Sequence, residues 1–220
     1  MPFFLAVHTR YSDVQLGLFN DTELIDSVTQ DSKKVSKDFL YLMQDLLHKH
    51  AVAFTDLRFI AAHQGPAPFT TLRVALASVN GLAFATHIPL IGVDGLQAFL
   101  HELAPCYTNT TLVVLLNAFC QEVYYGIRDQ AQEIATGYDK ITVLLERFKQ
   151  QPGNFMFVGN GSELYKADIQ KALDNRATFV DPMLHLVSLK TIGLEALKQW
   201  QTNATRDKQL MPVYMKICSL

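Results

Sequence analysis

The sequence is short of charge. Of its 220 residues, 19 are Lys or Arg and 21 are Asp or Glu, which is 18%, whereas an ordinary soluble domain carries about 25%. The net charge of -2 argues against a protein that binds nucleic acid on its own, because clustered Lys and Arg supply most phosphate binding. Any role on nucleic acid is then shared with a partner. A deficit of about 15 charges indicates that another chain covers part of the surface.

Cysteine and long apolar runs are scarce too. Cys106, Cys120 and Cys218 form no C-x-x-C pair and are odd in number, which predicts reduced, buried thiols and not a disulfide framework. The longest early apolar run, Phe3 to Val7, is too short for a signal-peptide core or a membrane span. We therefore expect a cytoplasmic protein without membrane contact. The hydrophobic fraction of 49% supports a large core and excludes disorder.

What is present is one order of elements that occurs twice. In the first half, the hydrophobic pattern predicts three strands, at 3–8, 14–19 and 23–29. Helices at 32–49, 70–85 and 95–103 then alternate with strands at 57–62 and 89–93. The second half predicts the same order at 112–117, 122–128, 132–136, 138–150, 155–158, 162–174, 178–180 and 183–200. A duplicated βββαβαβα order is typical of an α/β protein with two actin-like, ribonuclease H-like lobes, each with a mixed sheet. We place the lobes at 1–104 and 105–220, with Pro105 in the connection.

The first two helices have more apolar surface than one sheet requires. The helix at 32–49 has two neighbouring apolar stripes, and the helix at 70–85 is apolar on opposite faces, so both sides of it should be buried. Two interpretations remain open: the other lobe covers the spare surface, or another subunit packs its helices against it. The candidate interface residues are Phe39, Leu40, Met43, Leu46, Leu47, Leu76, Val79 and Ala83.

Familiar catalytic motifs are incomplete or missing. Leu164 stands where a dinucleotide loop beginning at 159–161 needs its third glycine, and neither a Walker loop nor a G-x-S-x-G elbow is present. His48 and His50 are two residues apart, so on a helix they point in different directions and cannot share a metal ion. We predict no catalytic, cofactor or metal site.

The segment from Gly65 to Arg73 is more informative. Gly65 permits unusual backbone angles, Pro66 and Pro68 fix φ, and Thr70 can cap the helix that follows. The start of that helix is a possible anion site. A rigid connector between strand and helix is the favoured interpretation, because Arg73 is the only fixed cation and the loop has one glycine.

This segment resembles the G-R-G-P-G-S-F-T-G-L-R loop of the TsaB (YeaZ) family. The matching residues are Gly65, Pro66, Phe69, Thr70, Leu72 and Arg73. Further matches follow in the family's order at 81–83 (G-L-A), 88–93 (I-P-L-I-G-V), 122–124 (E-V-Y) and 212–214 (P-V-Y). The resemblance covers essentially the whole chain, and the order and spacing of the pieces make it specific.

The resemblance implies a non-catalytic subunit of the bacterial machinery that makes N6-threonylcarbamoyladenosine (t6A) in tRNA. In that family the related, M22 glycoprotease-like subunit TsaD carries the metal and transfers the threonylcarbamoyl group, and the ATPase TsaE assists. The resemblance also implies that the first two helices bind a TsaD-like subunit and that tRNA is reached only through the complex. We expect a homodimer through the same helices when the partner is absent.

Several departures from the family pattern support the non-enzyme hypothesis. His8 stands where actin-like enzymes place the Asp of a phosphate hairpin, and Gly95 and Phe99 stand where TsaD-like proteins have metal-binding histidines. The alternative hypothesis is an active ATPase, kinase or metallopeptidase-like enzyme that uses the cleft between the lobes. The other departures are Asn117-Ala118-Phe119 in place of D-A-R, and Ala67 and Thr71 in place of two glycines.

Overall fold

A computed structural model of the protein describes residues 3–202 and 208–215. Along the chain its strands and helices are β1 (Phe3–Thr9), β2 (Asp13–Asn20), β3 (Glu23–Asp31), α1 (Val35–Lys49), β4 (Leu57–His63), α2 (Phe69–Thr86), β5 (Leu90–Val93), α3 (Gly95–Leu103), β6 (Thr111–Asn117), β7 (Glu122–Arg128), β8 (Ile134–Lys140), α4 (Ile141–Gln150), β9 (Phe155–Val158), α5 (Asn160–Leu164), α6 (Lys166–Leu173), β10 (Ala177–Phe179) and α7 (Leu189–Gln201).

The strands form two mixed sheets of the same design. Their orders are β3-β2-β1-β4-β5 and β10-β9-β6-β7-β8. In each sheet the first three strands in sequence form an antiparallel meander, and the later two join in parallel beside the first of them. The predicted α/β class and the duplicated order of elements are confirmed.

Each sheet has a hydrophobic core of its own. In the first, the inward residues of the strands pack against the apolar stripes of α1 and α2, as their helical spacing predicts. In the second, buried strand residues pack against α4 and α6. Buried Phe4 and Phe59 stack at 4.4 Å between ring centroids, and they lie outside the core that α1 and α2 cover.

The chain divides into two compact units in a way that the sequence did not predict. One unit is Met1–Gly95 with Ser188–Val213, and the other is Leu96–Val187 with Tyr214–Leu220. The last helix, α7, packs on β1, β2, β4 and β5 of the first sheet. The predicted lobes 1–104 and 105–220 are thus corrected: α7 belongs to the first unit, and most of α3 belongs to the second.

Side-chain packing explains both assignments. Trp200 of α7 stacks on Phe59 of β4 at 5.0 Å, and the ring of Phe19 fills the space that a side chain at Gly193 of α7 would occupy. The strands of the first sheet have buried apolar side chains on both faces, so the sheet needs α7 in addition to α1 and α2. In the second unit, Leu100 of α3 lies against Gly126 of β7.

Several local predictions were wrong. The third strand of the second half extends to Lys140, because Tyr138 pairs with Tyr124 across β7 and β8. The helix predicted at 162–174 is broken at Tyr165 into α5 and α6. The last helix begins at Leu189, not at 183, and Ser188 caps it by accepting a hydrogen bond from the backbone N–H of Thr191 at 3.1 Å.

Two further expectations concern cysteines and membranes. Cys106 and Cys120 are exposed, so the prediction of buried thiols is wrong for both; Cys218 lies outside the described residues. Among the described helices, none has both the length and the hydropathy to cross a membrane.

Candidate functional site

The family-motif loop joins the end of β4 to the start of α2. Gly65 has a φ of +115°, in the region that favours glycine. Gly65, Pro66 and Leu72 are buried, and Leu72 packs in the core under α1 and α2. Three of the six motif residues therefore serve packing and backbone geometry.

The remaining motif residues lie at the start of α2. The helix begins at Phe69 with Pro68 at its N-cap and has no side-chain cap, so the predicted cap by Thr70 is wrong. Thr70 is exposed, and the guanidinium carbon of Arg73 lies 5.7 Å from the ring centroid of Phe69, which is within cation–π distance. This geometry fits the connector that the sequence favours.

Two histidines meet in the interior of the first unit, at the ends of β1 and β4. His8 and His63 are both buried, and their rings meet edge to face with centroids 5.0 Å apart. Nδ1 of His63 donates to the backbone carbonyl of Thr9 at 3.0 Å. Gln15, the cross-strand partner of His8, is the polar side chain that favours the charged form of His8.

Burial keeps both histidines neutral. Desolvation lowers the pKa of His63 to about 4, although the carbonyls of Thr9 and Gly65 favour the charged ring and act in the opposite direction. Burial lowers the pKa of His8 well below its ordinary value, and the neighbouring His63 and Arg10 lower it further. A neutral imidazole therefore stands at position 8, where the family resemblance led us to expect an Asp in an actin-like enzyme.

His63 also explains the glycine at position 95. A Cβ at Gly95 would overlap Nε2 of His63 and would lie 2.9 Å from the carbonyl oxygen of Gly65. No side chain fits there, and Phe99 is buried. Among the described residues, no three of His, Cys, Asp and Glu are close enough to hold a metal ion.

A second departure from the family pattern shapes the turn between β6 and β7. Phe119, Cys120 and Gln121 all have positive φ, at 62°, 52° and 62°, which is uncommon for residues other than glycine. The side chain of Asn117 accepts from the N–H of Phe119 at 2.9 Å, and Asn160 accepts from the N–H of Asn117 at 3.0 Å. These bonds hold a turn whose strain the sequence did not predict.

The predicted interface residues are mostly in the core. Seven are buried against the first sheet, and Leu40 alone of the eight is exposed, at 48%. The buried ones are Phe39, Met43, Leu46, Leu47, Leu76, Val79 and Ala83. Their side chains pack in the core, where the sheet takes up the wide stripe of α1 and the corresponding face of α2.

The opposite faces of α1 and α2 form an exposed apolar surface. Its members, called here the helix-pair surface, are Leu40, Tyr41, Ala77, Gly81 and Phe84. Tyr41 is 69% exposed and Phe84 85% exposed, and Arg73 is the one charged residue of α2. Large exposed side chains next to small ones are typical of a contact surface for another protein.

A groove runs between the two helices beside this surface. Its volume is about 370 Å³, and it is lined by residues that include Phe39, Leu40, Tyr41, Phe54, Ser78 and Leu82. The sequence predicted two apolar faces for α2, and the face that contains Ala77, Gly81 and Ala85 is the exposed one.

An ion cluster holds the end of α1 in place. Nε2 of His50 and Nζ of Lys49 lie 2.8 Å and 2.7 Å from one carboxylate oxygen of Asp26 on β3. Hydrogen bonds from His50 and then from Lys49 lower the pKa of Asp26 well below its ordinary value. The cluster fixes the C-terminal end of α1 to the edge strand of the sheet.

The chain matches proteins of one family throughout most of its length. The family model "TsaD: tRNA N6-adenosine threonylcarbamoyltransferase" matches residues 29–217. The tRNA threonylcarbamoyladenosine biosynthesis protein TsaB of Escherichia coli strain K12 is 24% identical over 163 residues, which is 71% of each chain.

Solved structures agree on the fold. YeaZ from Pseudomonas aeruginosa superimposes with a TM-score of 0.73 at 21% identity, over 97% of this chain and all of that one. A Bacteroides thetaiotaomicron protein described as having an actin-like ATPase fold and unknown function gives a TM-score of 0.54 at 7% identity, over 88% of this chain and 95% of that one. The predicted actin-like fold is confirmed.

Proposed function

Since the chain belongs to the TsaD family and resembles its TsaB (YeaZ) members, we propose that it is a subunit of the complex that makes t6A in tRNA. In this proposal it binds and activates a TsaD-like threonylcarbamoyl transferase and contributes no catalytic group. The TsaE-like ATPase and tRNA join through the complex. When the transferase is absent, two copies associate through the same helices.

The helix-pair surface is the observation that carries this proposal. Phe84 and Tyr41 are large apolar side chains in water, and aromatic residues of this kind contribute much of the binding energy at protein interfaces. The small residues Ala77 and Gly81 lie on the same face of α2 as Phe84 and leave room for a partner helix to approach closely. An apolar helix pair on the transferase would complete a four-helix contact.

The non-catalytic part of the proposal rests on the histidine pair. His63 fills the space beside Gly95, and a neutral His8 replaces the carboxylate that would help to hold a metal-bound phosphate. We expect calorimetry with ATP and Mg²⁺ to show no binding at micromolar concentration. Binding with turnover would favour the alternative, an ATPase or kinase.

Copurification tests the partner. The chain is co-expressed with the TsaD-like protein of its own organism, and the mixture is separated by size-exclusion chromatography at micromolar concentration. We expect one heterodimer peak. Phe84→Glu should weaken the complex at least tenfold, because it places a charge in an apolar contact. Val143→Glu is the matched control, since Val143 is an exposed apolar residue of α4 in the second unit.

Depletion of the protein in cells tests the pathway. We expect t6A in total tRNA, measured by mass spectrometry, to fall, and to recover with the wild-type chain but not with the Phe84→Glu variant. An unchanged t6A level after depletion would contradict the proposed function.

A further inference from the structure

A short segment near the C-terminal end is bound to the edge of α2. The segment Leu210–Val213, called here the strap, contains no charged residue. The side chain of Leu210 is buried in the core beneath α1 and α2. Asn80 of α2 holds the same residue twice: its Nδ2 donates to the carbonyl of Leu210 at 2.9 Å, and its Oδ1 accepts from the N–H of Leu210 at 2.8 Å.

The strap is also bound to the family-motif loop. Nε2 of Gln64 donates to the carbonyl of Met211 at 2.8 Å, and the backbone carbonyl of Gln64 accepts from the N–H of Val213 at 2.9 Å. The strap thus makes four hydrogen bonds to two residues, one in the loop before α2 and one in its middle. This is a fixed position on the first unit.

The outward side of the strap is apolar and lies next to the helix-pair surface. Met211 is 58% exposed and Val213 is 37% exposed. Asn80 is three residues after Ala77 and four before Phe84, and residues with these spacings are neighbours on one side of a helix. The residue that binds the strap is therefore flanked by two members of the helix-pair surface.

We infer that the strap is a third element of the surface that receives the TsaD-like subunit, beside α1 and α2. The inference rests on the proposed function. The TsaD-like subunit is the occupant because the strap continues the helix-pair surface and both expose apolar side chains. Met211 and Val213 contact the partner, while Asn80 and Gln64 position the strap. Loss of these bonds weakens partner binding although neither polar side chain belongs to the contact.

The first test changes the exposed side chain alone. Met211→Lys and the conservative Met211→Leu are compared with wild type and with Val143→Lys in the second unit, and each Kd for the purified TsaD-like subunit is measured by calorimetry. Circular dichroism and thermal unfolding check that each variant is folded. We expect Met211→Lys to raise the Kd at least tenfold, and the other two variants to stay within twofold of wild type.

The second test releases the strap without changing its exposed residues. Asn80→Ala removes both hydrogen bonds that this side chain makes to the backbone of Leu210, and it places no charge beside the helix-pair surface. We expect faster hydrogen exchange at the N–H of Leu210, measured by NMR, together with a higher Kd. Faster exchange with an unchanged Kd would contradict the inference.

The outcomes separate this inference from the proposed function. If wild type binds the TsaD-like subunit and Met211→Lys binds equally well, the inference is wrong and the proposed function stands. If Met211→Lys weakens only the homodimer, measured by sedimentation, the strap serves a second copy and the inference is wrong. If wild type does not bind at all, the proposed function fails and the inference fails with it.

Discussion

At the scale of single residues, buried neighbours decide what a position can hold. The sequence predicted that Gly95 cannot bind a metal, but it did not predict that glycine is required there. That requirement comes from His63, which is 32 positions away in the sequence and reaches the site through parallel pairing of β4 with β5. Spacing along a chain does not reveal such a contact.

Gly95→Ala should destabilise the protein, because the new Cβ would overlap Nε2 of His63. We expect a loss of about 1–3 kcal/mol in the free energy of unfolding, measured by urea denaturation. Gly81→Ala is the control, since a Cβ added at Gly81 would have no atom within 4 Å and alanine is favoured over glycine in a helix by about 0.5–1 kcal/mol.

A double variant identifies the cause. His63→Ala should remove the overlap, so Gly95→Ala should cost less in that background than in wild type. An equal cost in both backgrounds would show that the imidazole is not responsible.

The histidine pair also predicts a pH dependence of stability. Both pKa values are lowered in the folded state, that of His63 to about 4, so the unfolded chain binds more protons between that pH and its own pKa of about 6.5. The contribution of the two neutral histidines to the free energy of unfolding is therefore fully present above pH 6.5, and it decreases as the pH drops toward 4. The expected slope is up to about 1.4 kcal/mol per pH unit for each histidine.

Urea denaturation at pH 7, 6 and 5 measures this slope. The double variant His8→Asn, His63→Gln should show a smaller slope over the same interval. A slope equal to that of wild type would assign the acid sensitivity to other groups.

At the scale of elements, periodicity identified which residues share a face but not which face meets the sheet. Both faces of α2 are apolar, so the pattern alone could not separate Leu76, which is buried, from Phe84, which is exposed. Packing against the sheet determines which face is buried, because contact with the sheet removes apolar surface from water. Of the eight residues that the sequence predicted for the interface, the structure buries seven against the sheet and exposes Leu40.

Asp26→Asn should loosen α1, because it removes the carboxylate that binds His50 and Lys49. The expected loss in the free energy of unfolding is below about 1 kcal/mol, since the pairs are partly exposed. The sign of its pH dependence follows from the lowered pKa of Asp26: the stabilisation is present at neutral pH and is lost as the pH falls through that pKa.

High salt provides the check on this assignment. The difference between wild type and Asp26→Asn, measured by thermal unfolding, should shrink at about 1 M NaCl because salt screens exposed charges. Asp139→Asn on β8 of the second unit is the control and should change stability less.

At the scale of the whole molecule, the order of elements was predictable and the partner of the last helix was not. Each predicted strand and helix follows from local pattern, and the duplicated order follows from reading them in sequence. The packing of α7 on the first sheet depends on an apolar sheet face that includes Phe4, Phe19 and Phe59. Nothing in the pattern of α7 specifies which of the two sheets it covers.

A fragment that ends at residue 104 should therefore fail to fold. It contains the whole first sheet but lacks α7, so the aromatic face with Phe59 would be exposed to water, where Trp200 covers it in the full chain. We expect poor amide dispersion in NMR spectra. Residues 1–95 joined by a Gly/Ser linker to 188–213 should give better dispersion, and a well-folded 1–104 fragment would contradict the unit division.

The position of α7 has a consequence for synthesis on the ribosome. The first unit contains β1 and is completed by Leu189–Gln201 and by Leu210, so its core cannot close until Leu210 has left the exit tunnel. Domains that are contiguous in sequence fold as they emerge, whereas the first unit cannot fold until α7 and Leu210 have been synthesised. A premature stop codon anywhere before residue 189 would then remove the helix-pair surface as well, although α1 and α2 had already been translated.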